Sequence, residues 1–325
     1  MMVKIELPIQ DTIINTFNVY GSISSIISNN KKCFPWFYNN FIQIRYVYDW
    51  DTFFFDNHHL LLDNCPWLNH HIVPRFVIES KWDSIVDFIV DSIKLGHYVY
   101  LYVDRYFISA SKAYLKWSHV HEIFIYGFNS ESKRFLIADN LSDGKYVQTE
   151  CTFEEIAQGH NAIEVSNHFF LNIHLLSKKE EEEYTLNLPQ IILSIENYLN
   201  SVITLDVSFK EKTLFGQNAI LFSVDKMIKD ENKLLDKRAF HLFLEHKKLM
   251  LSRINYLIHV NELKYEHVSE SYKDILRRFE IIKNLSLRYN ITKDRDVLFR
   301  IRDQILDGLY EEKLILDEMI KLISK

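Results

Sequence analysis

The sequence predicts an α+β protein, with a helix and an antiparallel sheet in its N-terminal half and an α-helical C-terminal half. Three observations predict it. Short β-branched and aromatic runs, separated by polar turns, crowd residues 97–149. A helical period takes over after residue 184. Between the two, charges cluster from Lys178 to Glu183, as expected of a solvated linker. The expected domains are therefore 1–177 and 184–325.

The elements follow in order. Ile23, Ile26 and Ile27 keep helical spacing within Ile13–Ser28, and the polar stretch Asn29-Asn30-Lys31-Lys32 ends that run. Residues 33–78 are rich in aromatics and histidine but have no clean period, so irregular structure with short strands is expected. Ser80 to Leu95 reads as an amphipathic helix: Ser80 can cap it, Ile85, Phe88, Ile89 and Ile93 share a face, and Gly96 can stop it. Strands are expected at 97–103, 122–128 and 134–138, the last two joined by the polar loop 129–133. A fourth strand at 146–149, a short helix at 152–158 and a further strand within 167–176 complete this half. Helices are expected at 188–199, 218–228, 237–263, 267–289 and 294–323. Phe240, Phe243, Leu244, Lys247, Met250, Leu251, Ile254, Leu257 and Ile258 hold one apolar face over five turns.

Composition bounds the function. Of 325 residues, 47% are hydrophobic and 25% charged, and Gly and Pro are scarce, which excludes a low-complexity chain. A net charge of -6 provides no electrostatic footprint for nucleic acid, and no nucleic-acid partner is expected. Cys33, Cys65 and Cys151 lie far apart and form no CxxC pair, so neither a structural zinc site nor a disulfide framework is expected. The first residues lack an apolar signal core, and no apolar run approaches the ~20 residues of a membrane helix. The expected location is cytoplasmic, with no membrane partner.

The strand region holds the most specific signal. His121 opens the run His121-Glu122-Ile123-Phe124-Ile125-Tyr126-Gly127, a hairpin turns, and the next run ends in Ala138-Asp139-Asn140. Adjacent antiparallel strands bring His121 and Asp139 close, where the aspartate can hold one ring nitrogen and leave the other for proton transfer. His119 is the better candidate for a pocket-lining residue. The pattern resembles the papain-like fold, in particular the bacteriocin-leader peptidases and the butirosin biosynthesis protein H family. The spacing His121–Gly127, the setting Ala138-Asp139-Asn140, the stretch Tyr102-Val103-Asp104-Arg105-Tyr106-Phe107 and the later helix Phe243–Arg253 carry the resemblance. It implies a papain-like N-terminal domain with His121 as general base and Asp139 as its orienting partner.

In those families a cysteine opens the first long helix, where the helix N-terminus lowers its pKa. Aligning the apolar positions puts Val19 in that slot, and no neighbouring register supplies a cysteine. Ser22 is the hydroxyl near the helix start; it could attack with His121 as base, or Ser22 or Asn18 could merely cap the helix. Ile13 stands where the family's oxyanion-hole glutamine is expected. The paired histidines His58-His59 and His70-His71 read as surface or pocket-lining residues, because neighbours on a strand face opposite sides. No metal and no cofactor of the chain's own are expected.

Three functions remain open. The resemblance implies an acyltransferase of peptide or polyketide natural-product biosynthesis. It would form an amide from an acyl thioester presented on the phosphopantetheine of a carrier protein, with the aromatic segment lining an acyl tunnel. The absent cysteine instead suits a non-catalytic scaffold that binds a carrier protein, a peptide or a pathway enzyme. A cysteine peptidase using Cys33 or Cys65 ranks third. The helical half fits either a wall of the pocket or a homodimer interface.

Overall fold

The computed structural model describes residues 3–142, 144–164, 166, 168–179, 183–205, 212–230 and 233–323. In chain order the elements are β1 (Lys4–Glu6), α1 (Asn18–Ile27), α2 (Phe34–Asn40), β2 (Ile44–Val47), β3 (Thr52–Phe55), α3 (Leu61–Asn64), β4 (Leu68–Pro74), α4 (Arg75–Glu79) and α5 (Ile85–Lys94). There follow β5 (Tyr98–Asp104), β6 (Val120–Asn129), β7 (Arg134–Ser142), β8 (Lys145–Thr152), α6 (Phe153–Asn161) and β9 (Asn172–Lys178). The remainder comprises α7 (Leu188–Leu199), β10 (Thr213–Phe215), α8 (Gly216–Lys229), α9 (Lys237–His259), α10 (Glu266–Thr292) and α11 (Arg295–Ile323). The chain divides into two compact units: Met1–Cys33 with His59–Tyr184, and Phe34–His58 with Thr185–Lys325. Its antiparallel sheets and helical C-terminal half make it a mixed α/β protein. Among the described residues no helix is long and apolar enough to cross a membrane.

The first unit is built on an antiparallel sheet in the order β4-β9-β5-β6-β7-β8, with β1 added to the far end of β6. Alternation along β5 sorts its side chains. Val99, Leu101 and Val103 join Ile123, Ile125, Ile137 and Ile173 in a core closed by Phe88 and Ile89 of α5 and Ile156 of α6. At Gly127 the β6 backbone meets β1 so closely that a Cβ would lie 2.6 Å from the carbonyl oxygen of Ile5. The small residue in the His-strand-Gly pattern therefore has a packing cause as well.

Helix α5 begins at Ile85, not near Ser80. Ser84 is its cap and accepts from the Asp87 amide, whereas Ser80 closes the separate short helix α4. Gly96, at φ +83°, turns the chain after α5 as expected. Thr152 and Glu155 form a reciprocal capping box at the start of α6.

The second unit pairs a small sheet, β10-β2-β3, with helices α7 to α11. Residues 34–58 belong with these helices, although a 1–177 domain leaves them on the N-terminal side. Two buried side chains of α9 explain why. His246 Nε2 lies 2.8 Å from the Ile42 carbonyl, and Arg253 donates to the carbonyls of Tyr38 and Phe41 at 2.7 and 3.1 Å. Trp36, Phe37, Phe41 and Phe55 pack edge-on or stacked on one another, and Phe53 meets Phe243. Most of the aromatic segment is thus core of this unit, and its lack of a period reflects burial of Trp36, Phe37, Phe41, Phe53, Phe54 and Phe55 whichever way they point, while Tyr48 and Trp50 are exposed.

Candidate functional site

The residues singled out by the sequence gather where α1 packs on β6 and β7. Pairing of Phe124 with Ala138 sets the register and brings the start of β6 beside the end of β7. Asp104, at the end of β5, organises the loop between these strands. It accepts from Ser118 Oγ at 2.6 Å and from the amides of His119 and Tyr106 at 2.8 and 2.9 Å. These donors outweigh burial and hold its carboxyl below the usual range. The loop so fixed carries Arg105 inward and leads the chain back into β6 at His121.

Asp139 is fully buried, and three donors converge on it: Asn18 Nδ2 at 2.8 Å, Arg105 Nη2 at 2.5 Å and the Asn140 amide at 2.6 Å. Burial pushes its carboxyl up while Arg105 and His121 pull it down. The aspartate does not hold the imidazole directly, as the strand geometry suggested. Arg105, itself only 4% exposed, stands between them, with Nη2 2.7 Å from His121 Nδ1. A guanidinium reaches both because it offers several donors in a fixed plane.

The same Nδ1 lies 2.9 Å from Glu122 Oε2, and Tyr102 donates to the other oxygen of Glu122 at 3.2 Å. Nδ1 cannot serve both neighbours at once. Unprotonated, it accepts from Arg105; protonated, it donates to Glu122. Burial opposes a charged ring, but the Glu122 carboxylate outweighs it, and the His121 pKa is raised above its ordinary value. His119 sits beside it, ring centroids 5.3 Å apart.

Ser22 is a fully buried side chain within α1 and bonds Asn18 Oδ1 at 2.7 Å, with the Tyr146 hydroxyl 3.4 Å away. Neither partner is His121. The Tyr146 ring lies against Gly21, where a Cβ would clash with it. Neither Ser22 nor Asn18 caps the helix: Phe17 is the cap position and makes no side-chain bond there. The helix-start side chain that faces Asp139 is Asn18, an amide and not a nucleophile. All three thiols are buried; burial pushes Cys33 and Cys65 up to about 12 and Cys151 well above its ordinary value.

Sequence reasoning placed His121 and Asp139 in one neighbourhood but missed Asn18, Arg105 and Glu122 as their partners. A signal for Arg105 lay in the Asp104-Arg105 pair closing an apolar strand, since an arginine drawn inward there needs an anion. Among the described residues no group of three His, Cys, Asp or Glu side chains is placed to hold a metal ion. No protein-family model matches the chain, and no curated protein sequence matches it.

Proposed function

We propose that the first unit is a papain-like scaffold whose histidine–aspartate site has given up nucleophilic catalysis and serves binding. Its partner would be a carrier protein, a peptide or a pathway enzyme of natural-product biosynthesis. One observation carries the reading: Arg105 lies between Asp139 and His121 and bonds both. In a His–Asp pair built for catalysis the aspartate bonds the imidazole directly and orients it; here the guanidinium takes that place, and the carboxylate that Nδ1 reaches is Glu122, its neighbour in the chain. The candidate nucleophiles point the same way. Ser22 is bonded to Asn18, and the thiols are buried and far from their thiolate range.

The amide-forming acyltransferase is the second reading, and it has an observation of its own. The His121 side chain is 26% exposed, and no hydrogen bond engages its Nε2 among the described residues. An acceptor amine could lose its proton there during attack on a carrier-bound thioester.

An acyl-thioester turnover assay separates the two. The full chain would be given acyl-N-acetylcysteamine and acyl-carrier thioesters with a primary amine, beside the His121→Ala and Ser22→Ala variants. The scaffold reading expects the same background rate from all three proteins. Amide formation that falls about a hundredfold or more in His121→Ala establishes the acyltransferase instead.

A further inference from the structure

A second polar site in the first unit collects hydrogen-bond donors. A pocket of about 210 Å³ is lined by Asn29, Asn30, Lys31, Trp67, Lys178 and Lys179. The fold assembles it from three places in the chain. Asn29 to Lys31 follow the end of α1, Trp67 precedes β4, and Lys178 and Lys179 close β9. Pairing of Leu68 with Lys178, and the Lys179 amide on the Trp67 carbonyl at 2.8 Å, fix the last two against each other.

The donor count sets the ligand class. Asn29 Oδ1 accepts from Lys178 Nζ at 3.3 Å and Asn30 Oδ1 from the Lys32 amide at 3.0 Å, which leaves both amide NH2 groups to donate. Among the described residues no carboxylate lines the pocket and none pairs with its three lysines. In a chain of net charge -6, three ammonium groups around one small cavity run against the overall balance. Trp67 adds an independent observation. It is 1% exposed, and its Nε1 is a buried donor with no partner. Buried donors are nearly always satisfied, and an indole N–H can only donate.

The geometry points to an anion site, and we infer that it takes the phosphate group of a small phosphorylated molecule. Ammonium and amide donors from two chain segments, beside a buried indole N–H from a third, suit a tetrahedral oxyanion better than a planar carboxylate. A dianionic phosphate also gains most from three cations. The space suits a phosphate with a short substituent and is smaller than a drug-sized cavity.

Calorimetric titration of the full chain at low ionic strength tests this, with inorganic phosphate and phenyl phosphate as probes and acetate as comparison. The expected result is saturable one-site binding of both phosphates, with acetate at least about tenfold weaker. The combined Lys31→Met, Lys178→Met, Lys179→Met variant should weaken phosphate at least about tenfold, and Trp67→Phe about fivefold. Trp67 is a core residue, so the half-buried Asn30→Asp variant provides a check outside the core; its carboxylate should also repel phosphate. Absence of saturable binding overturns the inference. So does equal affinity for acetate, or undiminished phosphate affinity in the lysine and Asn30→Asp variants.

Discussion

At the scale of single residues, the protonation of His121 is set by which neighbour its Nδ1 serves. Glu122 favours the proton and Arg105 opposes it, and the balance raises the pKa. Glu122→Gln keeps the shape and removes the charge. It should lower the His121 pKa, read from the imidazole resonances in an NMR pH titration. A pKa that stays or rises would mean that Nδ1 does not pair with Glu122. His121 and Asp139 were legible because strand ends and hairpin spacing can be read along the chain. Arg105, Glu122 and Asn18 were not, because their roles come from three separate segments meeting. The Ser22 reading failed for a related reason. A serine near a helix start looks available in the sequence, but this one is turned into the helix–sheet interface and spent on Asn18.

At the scale of elements, the strands from β5 to β8 were legible as β-branched and aromatic runs between polar turns, and the long helices because each keeps an apolar face at helical period. Residues 33–78 were not, since Trp36, Phe37, Phe41 and Phe55 are buried whichever way they point. Two charged residues lie on the buried faces of the long helices. Lys247 falls within the apolar face that the sequence marks on α9, and it is fully buried there, as is Glu312 of α11. Lys247 Nζ lies 2.8 and 2.7 Å from the two Glu312 oxygens, Tyr198 of α7 donates to Glu312 at 2.8 Å, and Tyr272 of α10 bonds it as well. One carboxylate thus joins four helices, and burial pulls the Lys247 pKa down against it. Removing one partner strands the other charge. Lys247→Met should cost about 3–5 kcal/mol in urea unfolding, while Lys247→Met with Glu312→Leu should recover a good part of that loss. Simple additivity of the two single losses would show that the pair is not coupled.

At the scale of the molecule, buried histidines make stability depend on mildly acid pH. Burial and the nearby Arg75 hold His160 down to about 4, against the weaker pull of Glu79 and of the ring's bond to the Tyr102 carbonyl. Burial and His70 do the same to His174, also to about 4, with Asp63 and Glu122 pulling the other way. In the unfolded chain a histidine takes up its proton near 6.5. Between pH 6.5 and 4 the unfolded state therefore binds more protons than the folded state, and stability falls as the pH falls. His160 alone accounts for about 3 kcal/mol by pH 4. Asp56, raised to about 6 by burial, works in the opposite direction over nearly the same range, because its folded form holds a proton that the unfolded form has released. The wild-type profile is thus a sum of opposed slopes, and a difference between variants is what isolates the histidine. His160→Gln keeps a polar side chain that does not titrate. Urea unfolding at pH 7 and at pH 4.5 should show a smaller loss of stability in the variant than in the wild type, by about 2 kcal/mol. Equal losses in the two proteins would place His160 in contact with solvent protons in the folded state, contrary to its burial.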